Sequence, residues 1–143
     1  MSCRDVVSRK DRVMVLNGDD LIGRADLAKL SNVPMGILAH TVQTPQSFGI
    51  IFRNTDGTLK QIVEKPEGLP APQLANIGSY MFPGNVFDLT LPLSPRNEYE
   101  ITDAVSQLAA RGEFLVVEAR YWLPIGTVKQ WEDAQLADIS PAK

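Results

Sequence analysis

The residues best suited to chemistry are an adjacent acid and base, Glu64 and Lys65, which are followed at once by Pro66. A lysine offers a compact cation to a phosphate group, and a carboxylate accepts hydrogen bonds from hydroxyl groups. Pro66 restricts the backbone directly after the pair, which favours a fixed geometry. An exposed surface ion pair is the alternative interpretation, and it stays open on these residues alone.

A second polar stretch, Asn17-Gly18-Asp19-Asp20, follows a short and almost continuous apolar run. Such a run is typical of a strand buried on both faces of a parallel sheet. Carboxylates just past the end of such a strand lie where open α/β sheets bind ligands. A simple turn is the alternative, because Gly-Asp is common turn chemistry.

A β-hairpin is predicted to deliver Glu64 and Lys65. Residues 48–53 are expected to form its first strand, Asn54-Thr55-Asp56-Gly57 its turn and residues 58–63 its second strand. A later buried strand over residues 74–82 is interrupted by Asn76, an amide that needs a partner, and a ligand is one candidate.

The remaining pattern alternates between strands and helices. Further strands are predicted at residues 34–42 and 113–119, and helices at residues 24–30, 83–89, 98–111 and 128–138. The expected fold class is therefore α/β, with a mixed, mostly parallel sheet, helices and one antiparallel hairpin. The lone histidine, His40, falls within a strand, which is more typical of a structural residue than of a catalyst.

Composition narrows the class of protein. The 143 residues suit one domain, expected at residues 12–138, with a disordered segment before it at 1–11 and a tail at 139–143. A net charge of −3 argues against nucleic acid as a partner. The single cysteine favours a reducing compartment, hence the cytoplasm, and no apolar run approaches the roughly 20 residues of a membrane span.

Taken in order, these stretches resemble motifs of the sugar-1-phosphate nucleotidylyltransferases. The resemblance covers roughly residues 12–136 and includes Ala75-Asn76-Ile77-Gly78 and the acidic segment at residues 94–103. It implies a Rossmann-like fold and an enzyme that joins a nucleoside triphosphate to a sugar 1-phosphate, with Mg²⁺, and releases pyrophosphate.

The resemblance also implies roles for single residues. Asp19 matches the aspartate that binds the catalytic metal, and Asn76 matches a position that contacts the sugar. Glu64 and Lys65 match the pair that holds the sugar hydroxyls and the sugar phosphate. The segment whose backbone meets the sugar corresponds to Phe48 and Gly49. In the acidic segment, Glu98 and Asp103 are expected to be structural or to lie behind the contacting residues.

Two departures from the family pattern stand out. Nothing in the sequence matches the glycine- and arginine-rich loop that cradles the triphosphate, a task that requires backbone N–H groups and positive charge. In the segment Trp122-Leu123-Pro124-Ile125-Gly126-Thr127, the family motif usually has a second metal-binding aspartate at the third position, here Pro124. A lone Asp19 makes a poor Mg²⁺ site.

We therefore expect the C-terminal portion of a nucleotidylyltransferase-like domain, without its N-terminal nucleotide-binding half. It would keep a site for a sugar 1-phosphate or nucleotide sugar, have at most weak Mg²⁺ binding, and be inactive alone. The alternatives are one half of a split enzyme completed by another chain and a non-catalytic assembly module. Residues 13–16 would lie at an exposed sheet edge, which predicts a homo-oligomer because such edges are usually covered.

Overall fold

The computed structural model describes residues 3–143 and is built on one large mixed sheet and one small sheet. The strands are β1 (Arg12–Leu16), β2 (Asp20–Ile22), β3 (Gly36–Val42), β4 (Gly49–Arg53), β5 (Leu59–Glu64), β6 (Gln73–Pro83), β7 (Leu115–Glu118) and β8 (Trp122–Pro124). The α-helices are α1 (Arg24–Ser31), α2 (Ile101–Ala109) and α3 (Val128–Gln135).

The large sheet has the order β5-β4-β6-β3-β7, with β1 alongside the second half of β6. Strands β1, β3, β4 and β7 run in one direction, and β5 and β6 run in the other. Because β6 lies in the middle, β3 with β7 is the one parallel pairing among the described strands. The predicted mixed α/β class, with most strands in one direction and an antiparallel β4–β5 hairpin, is confirmed.

Strand β1 lies at an edge of the sheet, as predicted. It pairs with β6 over five residues, and within residues 3–143 no strand pairs with its other side. Beside this edge is an apolar groove of about 270 Å³. Its lining comes from β1, the end of β6 and the segments around α2, namely Val13, Val15, Phe82, Val86, Phe87, Leu91, Tyr99, Ile101 and Ala104.

Helices cover the two faces of the large sheet. On one face Val105 and Leu108 of α2 pack with Tyr80 and Phe82 of β6. On the other face Leu30 of α1 packs in the cluster that includes Leu38, Ile77 and Met81. Full burial of such a side chain contributes about 1.5–3 kcal/mol, so these two clusters fix the sheet that carries the site.

Two local predictions were wrong, and one element was not predicted. The small β2–β8 sheet was not predicted, since strands of three residues are too short for periodicity. Residues 84–88 form a 3-10 turn rather than an α-helix. Helix α2 begins at Ile101 instead of residue 98, because Asn97 takes a left-handed conformation (φ 60°) and Ser94 N–H donates to Glu98 O in a tight loop.

The segment before β1 packs on the 3-10 turn after β6. Gly84 N–H donates to Asp11 O at 2.7 Å, and Arg9 forms an ion pair with Asp88 at 2.9 Å. Residues 1–2 of the predicted disordered segment lie outside the described residues, and the division at 1–11, 12–138 and 139–143 stays a prediction. No helix within residues 3–143 is long and apolar enough to span a bilayer.

Candidate functional site

The end of the β4–β5 hairpin gathers three of the predicted site residues. Gly49 lies directly opposite Glu64 in the ladder, and a Cβ added at Gly49 would be 2.8 Å from Glu64 Oε2. The same Cβ would be 3.9 Å from Cβ of Asn76 on β6. Glycine at position 49 therefore lets the Glu64 carboxylate lie over the backbone, next to Asn76.

Lys65 takes an unusual backbone conformation just after β5. Its φ is 44°, in the left-handed region that non-glycine residues seldom adopt, and its N–H donates to Phe48 O at 2.9 Å. Such a conformation costs about 1 kcal/mol or more and persists where the surrounding structure imposes it, often at binding sites. It turns Lys65 away from the strand path while the hydrogen bond keeps it next to Phe48.

Glu64 and Lys65 form one wall of a pocket of about 670 Å³. The opposite wall is the loop before α2 and the first turn of that helix, namely Pro92, Leu93, Ser94, Pro95, Arg96, Glu100, Ile101, Thr102 and Asp103. The pocket therefore joins the predicted acid and base to the acidic segment that resembles the family motif.

Two cations line this pocket, and their surroundings differ. Arg96 is paired with Glu100 at 2.8 Å and with Glu98 at 3.6 Å. The hydrogen bond from Arg96 holds the pKa of Glu100 below its usual value. Lys65, by contrast, has no ion pair among residues 3–143. Lys65 is thus the lining cation that has no ion-pair partner within the described part of the chain.

The Asn76 amide has partners within the chain. Its Oδ1 accepts the N–H of Gly78 at 3.0 Å, and its Nδ2 donates to the Tyr80 hydroxyl at 2.8 Å. Burial raises the pKa of Tyr80. An amide can accept two hydrogen bonds and donate two, so each group of Asn76 retains one further position for a ligand.

The strand end after β1 is joined to the same region through Gly78. Asn17 N–H donates to Gly78 O at 2.9 Å, and a Cβ at Gly78 would overlap the Asn17 amide, only 1.9 Å from Nδ2. Position 78 also has a φ of 67°. Both this positive φ and the lack of space for a Cβ favour glycine there. Asn17 in turn donates to Asp20 Oδ2 at 3.2 Å, which connects the acidic stretch to β6.

Asp20 is half-buried and hydrogen-bonded within the chain. The Trp122 indole N–H donates to Asp20 Oδ1 at 2.8 Å. Burial raises the pKa of Asp20, and the neighbouring Asp19 charge acts in the same direction, while hydrogen bonds from Trp122 and Asn17 oppose the rise. Asp20 is therefore engaged by the protein itself, unlike its exposed neighbour Asp19.

Pro124 lies beside the acidic pair. It is directly opposite Asp20 in the β2–β8 ladder, and a Cβ at Gly126 would be 2.8 Å from Asp19 Oδ2. The position where the resemblance implies a second metal-binding carboxylate is thus adjacent to the first. Within residues 3–143 no three His, Cys, Asp or Glu residues are grouped to hold a metal ion. These residues do not fit a Mg²⁺ site made by this part of the chain alone.

Trp122 and Asp26 were not predicted as site-shaping residues. The Trp122 ring packs edge-on against Phe48 at 5.5 Å and lies 5.7 Å from the ring of His40, whose Nδ1 contacts Ala119 O at 2.9 Å. Asp26 is 2% exposed and accepts the backbone N–H groups of the two residues that precede β8. The aromatic segment around Trp122 could have indicated the role of Trp122. No local sequence pattern indicates the role of Asp26.

Comparison with protein families matches residues 1–140 to the nucleotidyl transferase family. Over 116 residues the chain is 39% identical to the low-salt glycan biosynthesis nucleotidyltransferase Agl11 of Haloferax volcanii, covering 76% of this chain and 32% of that protein. It is 34% identical over 124 residues to the bifunctional protein GlmU of Methanococcus aeolicus, covering 83% and 29%. The chain thus spans about a third of these relatives' length.

Solved structures share the fold of this chain. A Bacillus anthracis protein described as a glucose-1-phosphate thymidylyltransferase, crystallised with sucrose, has a TM-score of 0.74 and 27% identity over 94% of this chain and 56% of that one. A UDP-glucose pyrophosphorylase complexed with UDP-glucose shares the fold, with a TM-score of 0.72 and 23% identity over 89% and 54%. With the family model matching nearly every residue, this chain belongs to the nucleotidyl transferase family, and its named relatives include sugar-phosphate enzymes.

Proposed function

We propose that the pocket beside Glu64 and Lys65 binds a sugar 1-phosphate or the corresponding part of a nucleotide sugar. The observation that carries the proposal is that Lys65 lines a 670 Å³ pocket beside the Glu64 carboxylate and forms no ion pair within residues 3–143. An ammonium group attracts phosphate, and a carboxylate accepts hydrogen bonds from sugar hydroxyls. The names of the relatives, among them a glucose-1-phosphate thymidylyltransferase of Mycolicibacterium smegmatis, support this ligand class.

Each predicted residue then has a role. Lys65 contacts the phosphate, and Glu64 accepts from the hydroxyl groups. Phe48 and Gly49 bring the backbone close to the sugar ring, and Asn76 uses the hydrogen-bonding positions that Gly78 and Tyr80 leave open.

We propose further that these 143 residues bind without catalysing nucleotidyl transfer by themselves. Phosphoryl transfer depends on positioning and on electrostatic stabilisation of the phosphates. The sequence has no segment that resembles the glycine-rich phosphate loop, and Pro124 replaces the second metal carboxylate. Asp19 alone would hold Mg²⁺ only together with oxygen ligands from a substrate, so no step is assigned to the metal.

Calorimetry tests the binding proposal. Glucose 1-phosphate is titrated into the wild-type chain and into Lys65→Ala, with Lys60→Ala as a control that removes a lysine from β5, the same strand that leads to the site. We expect saturable binding by wild type and Lys60→Ala, and at least a tenfold loss for Lys65→Ala, the effect of about 1.4 kcal/mol. No binding by the folded wild-type chain would overturn the proposal and favour a non-catalytic assembly module.

We propose that a second copy of this chain pairs with the β1 edge, which no strand of residues 3–143 covers. Antiparallel pairing about a two-fold axis centred on Met14 would place Val13 of one copy opposite Val15 of the other and close both edges. It would also cover the apolar groove that both valines line. Light scattering should show a dimer at working concentration. A stable monomer would contradict this, and a monomer that gains activity with a separate nucleotide-binding chain would favour the split enzyme.

A further inference from the structure

Trp122 connects the two parts of the candidate site. Its indole N–H donates to Asp20 Oδ1 at 2.8 Å, on the acidic side. Its ring packs edge-on against Phe48 at a centroid distance of 5.5 Å, on the hairpin side. The Phe48 carbonyl in turn accepts the backbone N–H of Lys65 at 2.9 Å. Three consecutive contacts thus lead from Asp20 to Lys65.

We propose that Trp122 is a positioning residue, which holds the Phe48–Lys65 backbone contact and the acidic stretch in one fixed arrangement for a bound sugar phosphate. The inference rests on the proposed function of the Glu64–Lys65 pocket. Trp122 itself acts through Phe48 and Asp20, and direct contact with the ligand forms no part of its role here.

The surroundings of Trp122 explain why this residue can do so. Its ring packs against two separate apolar clusters, one on the α1 face and one around Val42, Ile50 and Ala75. Its backbone pairs with Ile22 of β2, so one residue joins the small sheet to the large one. Its hydrogen bond has an ionisable acceptor, and such bonds to charged groups are stronger than neutral ones. A shift of Trp122 would therefore move both β2 and Phe48.

The segment carrying Trp122 is itself held in place. Asp26 Oδ2 accepts the backbone N–H groups of Arg120 at 2.8 Å and Tyr121 at 3.0 Å, directly before β8. The Asp26 side chain of helix α1 thus fixes the start of β8. Trp122, the first residue of β8, then contacts Phe48 at the start of the hairpin.

A double-mutant cycle tests the proposal. Trp122→Phe keeps an aromatic ring against Phe48 and removes the N–H, and Asp20→Ala removes the acceptor. We expect each single variant to weaken glucose 1-phosphate binding about threefold to tenfold, an indirect effect below the full value of a charged hydrogen bond. The double variant should be no weaker than the weaker single variant, because both remove the same contact.

A spectroscopic measurement separates positioning from mere support of the fold. The chain has two tryptophans, so Trp131→Phe, which alters an exposed residue of α3, leaves Trp122 as the sole indole. Its emission should change upon addition of glucose 1-phosphate, with the same midpoint as the calorimetric titration. This measurement tests the positioning role of Trp122 even if the Trp122→Phe variant fails to fold.

The outcomes distinguish this inference from the proposed function. If the wild-type chain binds glucose 1-phosphate while both single variants bind equally well and Trp122 emission stays constant, the positioning role is overturned and the pocket stands. Additive losses in the double variant would also overturn the coupling. If the wild-type chain does not bind, the proposed function fails and this inference fails with it.

Discussion

The two sides of the candidate site both lie at strand ends, yet they differ in what their charges do. On the hairpin side, Lys65 lines a pocket next to Glu64 and has no ion pair among residues 3–143. On the acidic side, Asp20 accepts hydrogen bonds from Trp122 and Asn17, and Pro124 lies opposite it with no ligand atom in its side chain. The proposed phosphate site therefore uses neighbouring residues at one strand end, whereas a metal site needs carboxylates that converge from distant segments.

The largest expected effect on stability comes from Asp26, whose carboxylate accepts backbone N–H groups directly before β8, on the acidic side. Asp26→Ala should lower the free energy of unfolding by about 2–4 kcal/mol, because Lys29 and the N–H groups of Arg120 and Tyr121 lose their acceptor. Urea unfolding at neutral pH measures this. Lys29→Ala is the comparison variant, and it should cost less because Lys29 is part-exposed.

The same carboxylate predicts a pH dependence. Burial acts to raise the pKa of Asp26, but hydrogen bonds from Lys29 and from the backbone of Tyr121 and Arg120 outweigh it and hold the pKa below its usual value. Ionised Asp26 therefore contributes fully to the free energy of unfolding above the ordinary aspartate pKa of about 3.9. This contribution is lost as the pH falls through the lowered pKa of Asp26 in the folded state. Wild type should lose more stability in acid than Asp26→Ala, and parallel curves would contradict this.

The next effect separates binding from stability on the hairpin side. Lys65→Gly should weaken glucose 1-phosphate binding by at least about tenfold, since a hydrogen bond to a charged group contributes about 1.5–3 kcal/mol. The free energy of unfolding should stay the same or rise by up to about 1 kcal/mol, because glycine adopts φ 44° without strain. Calorimetry and urea unfolding of one preparation give both values. A joint loss of stability and binding would mean that Lys65 supports the fold.

The next effect in size is a gain of metal binding on the acidic side. Pro124→Asp places a third carboxylate opposite Asp20 in the β2–β8 ladder. Like charges directly opposite destabilise a sheet, so the variant should lose about 0.2–1 kcal/mol without metal. Added Mn²⁺ should restore that loss in the variant and leave the wild-type melting temperature unchanged. Stabilisation of the wild type by Mn²⁺ would show that the existing residues already bind a cation.

The smallest effects come from a matched pair of glycines. A Cβ would approach Glu64 Oε2 at Gly49 and Asp19 Oδ2 at Gly126, each at 2.8 Å. Gly49→Ala should displace Glu64 and weaken glucose 1-phosphate binding a few-fold, about 0.5–1 kcal/mol. Gly126→Ala should displace Asp19 and leave this binding unchanged. Equal effects of the two variants would remove the distinction between the two sides.

Local patterns in the sequence account for much of the hairpin side. The turn at residues 54–57 and the strands around it were predicted from the sequence. The pairing of Gly49 with Glu64 was not, because it depends on a register shift between Phe52 and Arg53. The structure also brings Asn76 next to Gly49. The backbone strain at Lys65 was not predictable, because no residue-type signal marks a lysine with positive φ.

The acidic side depends on contacts that no local pattern reports. Trp122 and Asp20 are 102 positions apart, and Asp26 lies 94 and 95 positions from the N–H groups it accepts. Asp26 looks like an ordinary polar residue of a short helix until the fold brings β8 to it. The β2 and β8 strands are too short to show a period, so the small sheet that aligns Pro124 with Asp20 emerged only from the structure.

The most direct test of this difference is the metal dependence of sugar-phosphate binding by the wild-type chain. Glucose 1-phosphate is titrated calorimetrically in the presence of EDTA and again with Mg²⁺. We expect saturable binding with the same dissociation constant in both conditions, because the proposed phosphate contact is made by Lys65 and the described residues of the acidic side form no complete metal site. Binding that requires Mg²⁺, or no binding in either condition, would contradict it.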